Sequence, residues 1–353
     1  MMMMMILLKK EYIYYENLSH SQKELVKNFN NNSEINYETI LCEICNSKDF
    51  KTLFNNDRYG INQKTCYCNQ CGFVFSNPRM SKESASIFYN SDTYRLLYSD
   101  DKSFTDDGKT FTKEMLYKST LEKLRQHQPS LPKKPNFQEY YDKLYFDFIN
   151  NEINNYETVL DIGTGKGEKL IDFGFIGKKV EGIEPSKTYN KVHLELGLNS
   201  RVGLLEDINK QYDLVLLTHV FEHLTNLDEV VNKLSNITKR YLFIEVPGHV
   251  VNLQSIQNAH NYYFSLNTIN YFILKNKFKL IKIDYARNTE FIFALYEKTK
   301  KNSKYDFNYN LEKKIIKSIH RKYLIKYFLI KLLKLSKTEK IVRFFYNRLK
   351  KIN

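Results

Sequence analysis

An apolar run, three glycines at alternate positions and the start of a helical pattern follow one another in "VLDIGTGKGEKL", residues 159–170. Such a stretch is a strand that turns sharply into a helix. Glycine permits the turn and lets backbone approach a ligand closely. Gly163, Gly165 and Gly167 carry the turn, and Asp161 stands at the strand end. The dinucleotide fingerprint G-x-G-x-x-G needs glycine at position 168, where this chain has Glu168, and no G-K-[ST] of a phosphate-binding loop follows. The loop therefore points away from a phosphate ligand.

The surrounding pattern extends this picture. "ETVLDIG", "KKVEGIE", "YDLVLL", "RYLFIEV", "FKLIKIDY" and "EFIFALYE" are short apolar runs, mostly separated by helical stretches. That alternation predicts a doubly wound α/β sheet. The last two runs have only "ARNT" between them, which predicts an antiparallel hairpin at the sheet edge. Upstream, residues 1–40 are polar and Asn-rich, with helical periodicity at "SQKELVKNF"; residues beyond 80 are helical and aromatic, with a break at "HQPSLPKKP". These shifts divide the chain into an N-terminal extension (1–40), a cysteine module (41–80), a helical connector or lid (81–155), the ligand-binding α/β domain (156–300) and a basic helical tail (301–353).

All five cysteines lie between positions 42 and 71. An odd count without a secretion signal argues against a disulfide framework. Cys42-x-x-Cys45 and Cys68-x-x-Cys71, with 22 residues between them, suit tetrahedral zinc held by four thiolates; an iron–sulfur centre is the lesser alternative. Protein would fill every position of a zinc site, so the metal would be structural. Gly72 allows the tight turn that aims amides at sulfur, and Cys66 is the spare.

The formal net charge is +14, and residues 311–353 hold +12 of it, with fourteen Lys/Arg against two acids. The body is nearly neutral. No run of ~18 uncharged apolar residues is present to span a bilayer, and "MMMMMILLKK" is too short for a signal peptide; the expectation is a cytoplasmic protein. In the tail, Ile316, Ile319, Tyr323, Tyr327 and Ile330 share one helical face. Contact with an anionic membrane at its inner face, or packing on a partner, ranks above nucleic acid, because duplex binding needs basic residues around the site itself.

Taken in order, these motifs resemble class I S-adenosylmethionine (SAM)-dependent methyltransferases over roughly 156–298. The resemblance implies a Rossmann-like sheet and a SAM cofactor bound by Asp161, Gly163, Gly165 and Gly167. Glu184, 17 residues after the last glycine, would take both ribose hydroxyls. The family's adenine-reading acid has no direct counterpart in "RVGLLEDI", where Leu204 and Leu205 stand; Glu206 or Asp207 substitutes, or backbone alone reads the base. Residues 41–95, with "CNQCGFVFSNPRMSKESASIFYNSDTY", resemble the zinc module that precedes the SAM domain in deoxysugar C-methyltransferases and surface-polysaccharide methyltransferases. That implies structural zinc on Cys42, Cys45, Cys68 and Cys71, and a sugar, sugar nucleotide or glycan precursor as acceptor. A nucleic-acid methyltransferase and an inactive SAM-fold binding protein are the competing classes.

The segment "HVFEHL" follows "YDLVLL" and so falls at the carboxyl edge of the sheet, where open α/β folds bind ligands. A histidine there can accept a proton at neutral pH. In the sugar C-methyltransferases a Glu-His pair in this place is implicated in acid/base work, which makes His223 the candidate base and Glu222 its support. The competing role is structural, shaping the cofactor pocket or capping the next helix. His219 would line the pocket. His260 is a second catalytic candidate, next to Tyr262, Tyr263 and Phe264, which either stack on the acceptor or belong to the core. Glu245 ends a strand at the same edge.

Overall fold

The computed structural model describes residues 18–98, 137–248, 256–286, 291–318 and 321. "MMMMMILLKK", "HQPSLPKKP" and the tail positions Ile319, Tyr323, Tyr327 and Ile330 lie outside the described residues. Two compact units divide the chain, and neither is one continuous segment. The first takes 1–102, 250–260 and 308–353; the second takes 103–249 and 261–307.

The first unit begins with helix α1 (His20–Asn30), set by reciprocal capping: the Ser19 hydroxyl accepts the Gln22 amide at 3.2 Å and the Gln22 side chain accepts the Ser19 amide at 2.9 Å. Strand β1 (Tyr37–Glu38) pairs antiparallel with β5 (Arg79–Met80). Between them come β2 (Phe50–Asn56), β3 (Asn62–Cys68) and β4 (Val74–Ser76), with β3 antiparallel to both β2 and β4. Helices α2 (Lys82–Asn90) and α3 (Asp92–Tyr98) follow. Val26, Phe29, Ile35, Ile61, Met80, Phe88 and Leu97 form the core. Buried Arg79 is tolerated because Glu38 and Glu43 meet its guanidinium at 2.7 and 3.1 Å.

The distant segment 256–260 is stitched into this unit. The Asp57 carboxylate accepts the Asn258 amide at 3.2 Å, and Ile256 accepts the Arg58 amide at 3.1 Å. Among the described residues a further helix runs over 309–318; the Asn308 side chain caps its first turn by accepting the Leu311 amide at 2.9 Å.

Among the described residues the second unit opens with α4 (Phe137–Asn150), then alternates β6 (Thr158–Ile162), α5 (Glu168–Phe175), β7 (Lys179–Glu184), α6 (Lys187–Glu195), β8 (Ser200–Val202), β9 (Tyr212–Thr218), α7 (Leu227–Ile237) and β10 (Thr238–Pro247). A short β11 (Tyr262–Tyr263), α8 (Leu266–Leu274) and the hairpin β12 (Phe278–Ala286) and β13 (Phe291–Lys298) complete it. The seven-stranded sheet has the order β12-β13-β10-β9-β6-β7-β8. β6 to β10 are mutually parallel, and β13 is antiparallel to both β10 and β12. The predicted hairpin at the sheet edge is therefore present.

The chain starts in the middle at β6, steps outward through β7 and β8, then returns to β9 on the other side of β6. The strand order reverses between β6 and β9, and such a switch point opens the ligand crevice of an α/β sheet. Residues Leu214–Leu217 are all buried, as expected for a parallel strand covered on both faces. Val159, Leu214, Leu216, Phe243, Phe293 and Leu295 form one core with Tyr145, Ile149, Tyr156 and Phe173. Among the described residues no helix is long and apolar enough to cross a membrane.

Candidate cofactor and acceptor site

Strand register assembles the site. Ile162 pairs with Ile183 and Leu217, and Leu217 pairs with Ile244. The next residue on each strand, Gly163, Glu184, Thr218 and Glu245, therefore falls in one row at the carboxyl edge. Gly163, Gly165 and Gly167 all have positive φ, +68°, +51° and +81°, which side chains rarely adopt. Space is also limiting at Gly163: an added Cβ would lie 2.5 Å from Cγ2 of Val220 in the β9 loop. The two loops of the switch point are thus packed on one another.

Glu184 is buried, and its carboxylate is held by two backbone amides. Oε2 accepts from Gly165 and Oε1 from Ser186, each at 2.8 Å. A carboxylate fixed in this way keeps acceptor capacity for two ligand hydroxyls. Asp161 is fully buried, and among the described residues its Oδ2 has no hydrogen-bond partner; the Thr164 hydroxyl is in the same position. Burial lifts the Asp161 carboxyl to about 7 against the pull of Lys169, and Glu184 and Glu168 add to the rise. Buried polar groups without partners are exceptional. These two, beside the glycine loop, fit a ligand that brings its own polar and cationic groups, as SAM does.

His193 was not singled out in the sequence, yet it belongs to the cradle. Its Nε2 lies 3.0 Å from the Gly165 carbonyl and Nδ1 lies 3.1 Å from the Ser200 hydroxyl, to which Asn190 also donates at 3.1 Å. A carbonyl can only accept, so Nε2 carries the hydrogen. An added Cβ at Gly167 would come within 3.0 Å of this ring.

Of the two candidates for adenine, Asp207 is turned into its own loop. Its Oδ2 accepts the Leu204 amide at 2.8 Å. Glu206 is exposed beside it in the 3₁₀ turn Leu205–Asp207, with its carbonyl accepting from Lys233 at 3.0 Å.

In the loop after β9, His219 takes a left-handed backbone (φ +55°). Its amide donates to the Glu245 carbonyl at 2.9 Å. Its ring reaches Glu245 through Nε2 at 3.1 Å and Glu222 through Nδ1 at 3.5 Å, and it meets the edge of Phe291 with ring centroids 5.0 Å apart. Burial alone would lower its basicity, but the Glu245 and Glu222 carboxylates prevail and push it up to about 10. The two carboxylates thus favour the imidazolium form of His219.

Glu222 and His223 form a 3₁₀ turn, Phe221–His223. The Glu222 side chain is 1% exposed and His223 17%, with Oε1 and Nε2 3.8 Å apart. Asn261 fixes the turn: its amide donates to the Glu222 carbonyl at 2.9 Å and its side chain to the His223 carbonyl at 2.7 Å. Phe221 stacks on Phe264 at 5.1 Å, both fully buried. Tyr262 and Tyr263 are buried as well, so this aromatic trio is core rather than an open stacking face. His260 belongs to the first unit. Its ring is buried, and its carbonyl accepts from Ser76 at 2.8 Å and Gln63 at 3.1 Å.

Within the first unit, Cys42, Cys45, Cys68 and Cys71 converge, with all four sulfurs within 4.8 Å of one another. Cys42 lies 3.4 Å from Cys71, and Cys45 lies 3.4 Å from Cys68. A zinc–sulfur bond of ~2.3 Å implies tetrahedral edges of ~3.8 Å, so the set fits the ion. The two knuckles close alike: Asn46 donates to the Cys42 carbonyl and Gly72 to the Cys68 carbonyl, both at 2.8 Å and both with positive φ. Amides aim at sulfur as expected, Ile44 toward Cys42, Gln70 and Cys71 toward Cys68, Phe73 toward Cys71. Hydrogen bonds shared among the sulfurs pull the Cys68 thiol down to about 2 and push Cys42 and Cys71 up. Cys66 lies apart on β3, beside the Thr52 hydroxyl.

Residues 137–282 match the sequence family described as a methyltransferase domain. Among solved structures, the chain is similar to magnesium protoporphyrin IX methyltransferase from Synechocystis with bound SAM (14% identity, 55% of this chain and 100% of that one, TM-score 0.37). It is also similar to a SAM-dependent methyltransferase from Archaeoglobus fulgidus (17% identity, 46% and 100%, TM-score 0.38) and to the YcgJ protein of Bacillus subtilis (13% identity, 44% and 98%, TM-score 0.37). No curated protein matches the chain in sequence. The glycine loop and Glu184 both lie inside the matched residues, and the chain carries a SAM-dependent methyltransferase domain over 137–282.

Proposed function

We propose that the enzyme methylates a sugar, sugar nucleotide or other glycan precursor, with His223 as the base, Glu222 as its support and zinc holding the four-cysteine module. The observation that carries the site assignment is the contrast between the two histidines of one loop. His219 is flanked by the Glu245 and Glu222 carboxylates, at 3.1 and 3.5 Å, which favour its protonated form. His223 lies next to buried Glu222 on a turn held by Asn261. The sugar acceptor is supported by the likeness of residues 41–95 to the zinc module of sugar methyltransferases.

SAM, when bound, supplies an electrophilic methyl group on a sulfonium. The chain's residues do the rest. The glycine loop and Glu184 hold the ribose end, and Asp161 and Thr164 offer partners to its polar groups. His223 takes the proton that the acceptor hydroxyl or activated carbon acid gives up as its lone pair attacks in line, and Glu222 stabilises the resulting imidazolium. The packed aromatic core of Phe221 and Phe264 supports the turn from below. The basic tail would hold the enzyme at an anionic membrane surface, near such acceptors.

The test is transfer of labelled methyl from SAM to a panel of sugar nucleotides. His223→Ala should depress turnover ~10²-fold or more while SAM affinity stays close to that of the parent. His260→Ala, run in parallel, addresses the second candidate. Methylation of nucleic acid but of no sugar compound would overturn the acceptor class; full turnover in His223→Ala would return the loop to a structural role.

A further inference from the structure

The helix over 309–318 and the metal module meet at one glycine. Gly72 follows the last cysteine of the second knuckle, has φ +85°, and donates its amide to the Cys68 carbonyl at 2.8 Å. An added Cβ there would lie 2.8 Å from the Glu312 carbonyl carbon, 2.8 Å from the Lys313 nitrogen and 3.1 Å from Glu312 Cγ. The backbone of the helix over 309–318 thus rests directly on the knuckle, with no room for a side chain between them. Glu312 and Ile316, one turn apart on the helix, are both buried.

We propose that this helix is the cover of the four-cysteine centre, so that metal occupancy and the seating of residues 309–318 are a single coupled event. The inference rests on the zinc reading of the cysteines and is independent of the acceptor.

Helical segments are marginal alone in water and depend on tertiary packing. The seat of this helix is the Cys68–Gly72 turn, whose shape is set by sulfurs held on one ion. Without the ion, four cysteine sulfurs at 3.4–4.8 Å lose their common ligand, and the turn that carries Gly72 loses its constraint. Conversely, four thiolates on a dication bear a net charge of −2. The helix brings the end of its first turn, near the positive end of its dipole, against the knuckle through the Glu312–Lys313 backbone. Three of the four cysteines are buried, so a competing chelator must wait for the cover to lift.

The full chain is tested by hydrogen exchange over 309–318, zinc-loaded and after chelation, with zinc stoichiometry measured alongside. The expected result is one zinc per chain, protected amides across the helix in the loaded protein, and loss of that protection on chelation while the amides of 214–217 stay protected. Ile316→Asp alters the helix and leaves the knuckles untouched. It should retain one zinc but release it to a chelator about tenfold faster or more. A chain that binds no zinc overturns the metal reading itself. One zinc per chain, with helix protection indifferent to chelation or release unchanged in Ile316→Asp, overturns the coupling and leaves the metal reading intact.

Discussion

Gly165 is gripped from both sides: its carbonyl accepts from His193 Nε2 at 3.0 Å, and its amide donates to Glu184 Oε2 at 2.8 Å. The middle of the cofactor loop is thereby tied to the end of β7 and to the buried face of α6. Asn190, Ser200, His193, Gly165 and Glu184 form one directed chain of hydrogen bonds.

Glu184→Ala removes the acceptor of two backbone amides and the proposed ribose ligand together. SAM affinity should fall by about 10–100-fold, the loss expected when a charged hydrogen-bonding group is deleted from a site. Calorimetric titration measures it; unchanged affinity would remove Glu184 from the ribose position.

His193→Ala should weaken SAM binding with little effect on turnover at saturating SAM, because the ring touches the loop and not the acceptor. Burial holds the native ring's basicity below the usual value, against the Gly165 carbonyl. The unfolded chain takes a proton at ~6.5 and the native one resists it, so this contribution to stability is present above ~6.5 and is lost as pH falls through the depressed native value. Denaturant midpoints of parent and His193→Ala between pH 5 and 7.5, without ligand, should converge toward the acid end.

His219 titrates in the opposite sense. Its native value is raised to about 10, so the stabilisation is complete below ~6.5 and is lost as pH rises through about 10. His219→Gln leaves Glu222 and Glu245 buried without their cation, which is costly. The variant should melt below the parent at pH 6.5, and the gap should narrow by pH 10.5. A gap independent of pH would mean that the ring acts by packing alone.

Cys45→Ser and Cys66→Ser separate ligand from bystander. The first should lower zinc per chain and the melting temperature; the second should retain full zinc, since Cys66 lies on β3 beside Thr52. Elemental analysis of both proteins decides it.

The features legible in the sequence are those that repeat locally. The strand–glycine–helix turn, the edge hairpin and the paired cysteine knuckles each show within a dozen residues or by fixed spacing. His193 was invisible because it lies 28 positions from Gly165; only the parallel pairing of β6 with β7, followed by the return of α6, brings them together. Asn261 was missed for the same reason, 38 positions from His223. Tyr262, Tyr263 and Phe264 were ambiguous because an aromatic run reads alike as core and as a stacking surface. The protonation of His219 depended on Glu245, contributed by a different strand. The participation of 256–260 and 309–318 in the first unit follows from tertiary contacts that leave no periodic trace.

The discontinuous first unit also bears on synthesis. Asp57 and Arg58 find their partners at Asn258 and Ile256, and Gly72 finds its neighbour at Glu312. A nascent chain carrying only its first hundred residues lacks these partners, while the sheet of the second unit can pair as soon as β13 emerges. The cysteine knuckles therefore reach their final packing only after residues on the far side of the second unit have been made.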